Sequence, residues 1–273
     1  MRPSPLLPLL VAALLSSVFP VRAEESLQRY DWKLDENYAG AHADDFSRLR
    51  YEVPNLMRQS QIDIAVATGL DFQEGWSHPL QIRFVDGSPA GVENALAYVE
   101  LITDGKRQAQ RMNINLGAYA GGKFNFDKVF RHELFHAMLN DALGPDAPSL
   151  PRWLHEGMAV YAADQGEQLI NAYLTQIEAG DEERFINGLE GPHTAEDYVE
   201  DYLAFKYMRE RHGANAIQAF SRTLVASKGD VPAAIRAACS EDWAGFQESA
   251  RTYSIEELKR IKRTLRGTQA APY

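Results

Sequence analysis

From Lys128 to Asn140 the chain runs without a glycine or a proline, and Phe130, Leu134 and Met138 recur at every fourth position. That run has one good solution, an amphipathic α-helix. Residues four apart stand one above the other on a helix face, so the three apolar side chains form a stripe that has to be buried. His132 and His136 form a second pair, four apart, on a face turned away from that stripe. Asn125 or Asp127 can cap the start of the helix, and Gly144 and Pro145 follow as signals for its end. A helix with such a back must lie against the rest of the molecule, so the fold has to be built around it.

Two imidazoles one turn apart can address a single cation. Glu133 stands about 100° round the helix, where it can reach a water on that cation rather than the cation itself. Histidine is scarce, seven in the chain, and a His-Glu-x-x-His pattern arises by chance in about one chain in a hundred of this length. A third ligand stands downstream, in Pro151-Arg152-Trp153-Leu154-His155-Glu156-Gly157. This stretch reads as the start of a second helix. Ser149 can cap it, Pro151 suits its first turn, and Trp153, Gly157 and Val160 share one stripe. Gly157 would let another helix approach closely. The connection between the two helices is short, so they pack as neighbours. Glu156 alone would read as a solvated helix glutamate; beside two histidines it reads as a ligand. Two His and one Glu leave a fourth position open, which is the catalytic arrangement of zinc rather than the closed structural one. One Zn2+ is therefore expected on His132, His136 and Glu156, with Glu133 as general base.

These residues carry a resemblance to a known family. His132-Glu133-x-x-His136 followed by Glu156, with nineteen residues between His136 and Glu156, resembles the gluzincin zinc metallopeptidases and has thermolysin-like spacing. The wording from Pro151 to Tyr161 is similar to bacterial peptidase-MA-like domains, in which a proline, a Trp-Leu pair, Glu-Gly, Ala and Tyr follow one another. The likeness is specific from about Phe130 to Tyr161 and weaker up to about Gly213. It implies peptide-bond hydrolysis, a sheet ahead of the active-site helix, and a helical lobe behind it that supplies an oxyanion donor. The stretch from Tyr198 to Gly213 resembles the family's tyrosine-bearing helix, which ends in a pair such as His212-Gly213. On that alignment Tyr198 is the donor, with Tyr202 and His193 as alternatives. The family also implies that an edge strand pairs with extended substrate. Arg111 to Leu116 is the candidate, against the plainer reading of an internal strand. One departure stands out. The family commonly has an acidic residue where this chain has Val160, and such a carboxylate fixes the orientation of a ligand histidine. A backbone carbonyl or Asp164 would have to serve instead.

The remaining sequence sets the frame. Residues 1–23 read as a secretory signal: Arg2 at the start, an apolar run from Leu6 to Phe19, and Val21-Arg22-Ala23 as a cleavage site. The run is short for a retained anchor. The mature protein, 24–273, loses Arg2 and Arg22, so it is two charges more negative than the −10 of the full chain. That acidity argues against nucleic acid and against an anionic membrane surface; a peptide or protein substrate in the periplasm or outside the cell fits it. Cys239 is the only cysteine, which leaves no partner for an intramolecular disulfide and places it in a buried helix.

The expected class is α+β in a single domain. A lobe over 24–145 would hold a small mixed sheet and the active-site helix, and 146–273 would be helical. Residues 24–43 read as loosely ordered and Asp44 to Thr68 as a helix ended by Gly69. Leu80 to Val85 reads as a strand, Leu96 to Thr103 and Arg111 to Leu116 as a hairpin around Asp104-Gly105, and Gly117 to Gly122 as a loop. Helices are expected over Asp197–Arg211, Ala214–Ser227 and Ile255–Leu265. His42, His78 and His155 read as surface residues, the last turned about 100° from Glu156. Two other functions compete with a peptidase: a zinc-binding scaffold on a degenerate peptidase fold, which Val160 favours and Glu133 opposes, and zinc-assisted hydrolysis of a non-peptide amide.

Overall fold

The computed structural model describes residues 32–70, 78–88, 95–104, 107–119, 125–174, 181–191 and 197–269. The proposed signal over 1–23, the Gly105 turn and His193 lie outside them. The class is α+β, with one four-stranded mixed sheet and a helical remainder. In chain order the described elements begin with β1 (Trp32–Leu34), α1 (Ala43–Thr68), β2 (Leu80–Val85), β3 (Ala97–Asp104), β4 (Arg107–Asn115), the single turn α2 (Leu116–Tyr119) and α3 (Phe126–Leu143). A 3-10 segment, Gly144–Ser149, leads into α4 (Arg152–Ala162) and α5 (Gly166–Leu174). Then come the short α6 (Glu182–Phe185), α7 (Asp197–His212), α8 (Ala214–Ala226), α9 (Val231–Cys239) and α10 (Trp243–Gln269).

The sheet order is β1-β2-β4-β3. β1, β2 and β4 run parallel and β3 returns antiparallel at one edge. Register explains its two faces. Leu80, Ile82 and Phe84 stand beside Gln110, Met112 and Ile114, and those beside Leu101, Val99 and Ala97. Successive residues point to opposite sides of a strand, so these side chains make one largely apolar face. The other face carries a polar ladder: Arg111 donates to Gln81 at 3.2 Å and to Glu100 at 3.3 Å, and Asn113 donates to Glu100 at 3.0 Å.

Three sequence expectations are corrected in this lobe. The edge-strand reading of Arg111 to Leu116 gives way to the plainer one: Arg111 to Asn115 lie in an interior strand, because β2 pairs with β4 in parallel and leaves β3 outside. Its alternation comes from the polar ladder, not from an open edge. Residues 32–34, expected to be loosely ordered, form β1, and Leu116–Tyr119, expected as the end of a strand and the start of a loop, form a helical turn. α1 runs through Pro54 and ends at Gly69, whose φ of 72° is the left-handed cap that glycine adopts without strain.

The lobes share one apolar core. Phe130, Leu134 and Met138 on the back of α3 are buried, and α3 packs against the sheet through β3 and β4 and against α1 and α4. The side-chain amide of Gln110 donates to the Ala137 carbonyl at 2.9 Å, tying β4 to α3. On the helical side Trp153 is the hub, its ring centroid 5.6 Å from that of Phe205 and 5.7 Å from that of Trp243. Cys239 is buried at the end of α9. Among the described residues no helix is long and apolar enough to cross a membrane.

Candidate metal centre

Asn125 caps α3, its Oδ1 accepting the Lys128 N–H at 3.2 Å. With the apolar stripe buried, His132 and His136 face the other way, toward α4. The connection between α3 and α4 folds back through the 3-10 segment. Ser149 closes that segment by donating to the Asp146 carbonyl at 2.6 Å, and Pro151 occupies the N-cap of α4 in place of Ser149. The two helices pack side by side, and Glu156 comes to the histidine pair.

The three side chains meet at a point. Nε2 of His132 lies 3.1 Å from Nε2 of His136. Oε2 of Glu156 lies 3.4 Å from the first nitrogen and 3.6 Å from the second. Three donors on one tetrahedral cation, each about 2.0–2.1 Å away, stand about 3.3–3.4 Å apart, and the observed separations of 3.1, 3.4 and 3.6 Å bracket that value. The lone pairs point the same way. Nδ1 of His132 is 2.9 Å from Oε1 of Gln165, and an amide oxygen only accepts. His132 therefore donates through Nδ1, and its Nε2, turned toward Glu156, would present a lone pair to a bound cation. Two nitrogens and one carboxylate oxygen are a donor set that fits zinc.

Glu133 is buried beside the pair, 8% exposed, and does not join it: the cluster able to hold a metal ion comprises His132, His136 and Glu156. Burial raises the carboxyl of Glu133 above its ordinary value, although His132 and His136 pull it back. Glu156 behaves in the opposite sense. Burial would raise it, but hydrogen bonds from His132 and His136 and their charge outweigh that and hold it well below the usual carboxylate range.

Tyr198, in the first turn of α7, is beside Glu156. Burial and the charge of Glu156 push its hydroxyl up, and Arg152 lies against it and pulls it down. Gly157 makes this approach possible. A Cβ there would lie 2.6 Å from the Asp201 carbonyl oxygen and 2.9 Å from the Phe205 ring. Tyr202, one turn on, is directed elsewhere: its ring lies over Gly166, 6.5 Å from that of Tyr161.

Several roles differ from the sequence reading. The residue on Nδ1 of His132 is Gln165, not Asp164, which pairs with Lys128 at 3.1 Å. His155 is half-buried; its ring is 6.0 Å from that of His136, and Nε2 donates to the Ala147 carbonyl at 2.9 Å. His78 is likewise partly buried, bonded to Asp141 through its N–H at 2.8 Å and its Nδ1 at 3.1 Å, and His42 is half-buried at the start of α1. Gln165 and Arg152 were missed. Arg152 had a signal, one turn before Glu156 on the same helix; Gln165 had none. The chain matches no model of a known protein family, and no characterised protein matches it.

Proposed function

We propose that the protein is a zinc-dependent metallopeptidase of the gluzincin type, acting in the periplasm or outside the cell. The observation that carries this reading is the convergence of Nε2 of His132, Nε2 of His136 and Oε2 of Glu156 within 3.1–3.6 Å, with the buried carboxyl of Glu133 beside them and outside the set. A purely structural zinc site has no use for that fourth group.

His132, His136 and Glu156 would hold the ion. Zinc in such a site supplies a Lewis acid that polarises a carbonyl and acidifies water. Glu133 takes a proton from the attacking water and passes it to the leaving amine. The Tyr198 hydroxyl swings from Glu156 and Arg152 to donate to the oxyanion of the tetrahedral intermediate. Extended substrate adds to β3 rather than β4. The Asn115 N–H bonds the Leu96 carbonyl at 2.8 Å, which sets the alternation of the hairpin. The backbone groups of Ala97, Val99 and Leu101 then point away from β4, on the side where a peptide backbone would add.

The test is hydrolysis of mixed peptides by zinc-loaded protein with a chelator control. Glu133→Gln is expected to keep stoichiometric zinc and lose turnover. Zinc binding with no hydrolysis by the wild type would favour the scaffold reading instead; substantial hydrolysis by the variant would remove Glu133 from its role.

A further inference from the structure

Gln165 has no place in the mechanism above, yet its position is built with care. It lies in the turn between α4 and α5, where the Ala163, Asp164 and Gln165 N–H groups return to the carbonyls of Ala159, Tyr161 and Val160. Asp164 adopts a φ of 53°, a left-handed conformation rare outside glycine, and this reverses the chain so that Gln165 points back at α3. Lys128, in the first turn of α3, clasps the turn by bonding both the carbonyl and the carboxylate of Asp164. The turn is thus fastened to the helix that carries the histidines, and Oε1 of Gln165 is delivered to Nδ1 of His132 at 2.9 Å.

We infer that Gln165 is the positioning residue that fixes the tautomer and ring orientation of His132, and that its neutral amide sets this centre for weaker, more exchangeable zinc than a carboxylate there would. The inference rests on the metal reading above and adds how tightly the site is poised. The geometry does two things. A group that accepts at Nδ1 forces the proton onto that nitrogen and leaves Nε2 bare for the cation. An uncharged acceptor does so without donating negative charge to the imidazole. A carboxylate at the same place would make the ring a stronger donor and would cancel one more positive charge of a loaded site. Val160, buried within α4, offers no acceptor, so the amide of Gln165 serves this purpose for His132.

Three measurements on the full chain test this. In metal-free protein, at a pH where the His132 ring is neutral, nitrogen NMR of the histidine side chains should show its proton on Nδ1. Gln165→Leu should move it to a mixture or to the Nε2–H form; an unchanged tautomer in the variant would overturn the inference without touching the metal reading. Zinc affinity, by competition with a chromophoric chelator, should fall about 10–100-fold in Gln165→Leu and rise above the wild type in Gln165→Glu, with thermal midpoints of the metal-free proteins nearly unchanged. Equal affinities in all three would also overturn it. Failure of the metal reading looks different: the wild type itself would take up no zinc, and His136→Ala would change nothing. In cobalt-substituted protein, the visible absorption should shift in both Gln165 variants, a change that a role limited to holding the turn would not produce.

Discussion

At Tyr198 two neighbours act in opposite senses. The carboxylate of Glu156 favours the protonated phenol and the guanidinium of Arg152 disfavours it, and burial adds to the first. The hydroxyl therefore remains a donor, and it is already beside the metal cluster. Its present acceptor is Glu156, whose charge a bound cation would draw away, freeing the hydroxyl for substrate. Removing the hydroxyl alone, in Tyr198→Phe, should lower kcat by about 10²–10³-fold, the usual effect of losing one oxyanion donor, with zinc content unchanged and KM little affected. A variant with full kcat would make Tyr198 a packing residue. The same scale shows what residue identity alone could not reveal. His132 and His136 were legible because helical spacing puts them on one face, and Glu133 because it adjoins them about 100° round; Glu156, on another helix, was legible only through its context and the family resemblance. Gln165 was not, because a reversed turn with a left-handed residue, rather than a period, carries it to His132. His155 does turn away from the metal point, as its place on α4 requires, but the packing of α4 on α3 sets it against His136.

Between elements, the decisive contact is α4 on α7. Gly157 follows Glu156 directly, so the residue that lets α7 approach adjoins the proposed metal ligand. In Gly157→Ala the new methyl group would meet backbone of α7 at Asp201, which cannot rotate aside. α7 must retreat, at a cost of about 1–3 kcal/mol for overpacking. Tyr198 lies less than one turn before Asp201 and moves with it. The expected result is a lower thermal midpoint together with a fall in kcat larger than the change in zinc affinity; loss of stability with kcat intact would show that the placement of Tyr198 does not depend on this contact. Most helices were readable at this scale, although α10 begins at Trp243, well before the expected Ile255, and β2 was read with both its ends, since apolar periodicity is local. The neighbour of a strand is not local. The β3–β4 hairpin announces itself in sequence, but whether β2 pairs with β3 or with β4 is settled only when the parallel crossover buries Ile82 beside Met112. That choice puts β3 rather than β4 at the edge of the sheet, and with it the strand proposed to seat a substrate.

For the whole molecule, charge sets the response to pH, and two buried carboxyls pull in opposite directions. Glu200, on α7, accepts the N–H groups of Asn187 at 2.8 Å and Gly188 at 2.9 Å. Burial first, and the charge of Asp197 after it, push its carboxyl up from 4.5 to about 7, against those bonds and Arg251. The folded state thus holds this proton more tightly than the unfolded chain does. The stabilisation is complete below 4.5 and is lost as pH rises through about 7. Glu257 on α10 has the reverse sign. Arg260, bonded at 2.6 Å, and Lys206, also at 2.6 Å, hold its carboxyl down to about 2 in spite of burial. Its contribution is present above 4.5 and disappears as pH falls through about 2. Chelator-treated protein, freed of any stabilisation by bound metal, should accordingly be less stable at pH 8 than at pH 5. Glu200→Gln keeps an oxygen for the two N–H groups and removes the titration, so the drop in urea midpoint between pH 5 and pH 8 should shrink. Part of it should persist, because Asp201, pushed up to about 8 mainly by burial, titrates in the same direction. A drop as large in the variant as in the wild type would mean that Glu200 is already charged at pH 5, and that the Asn187 and Gly188 N–H groups outweigh its burial.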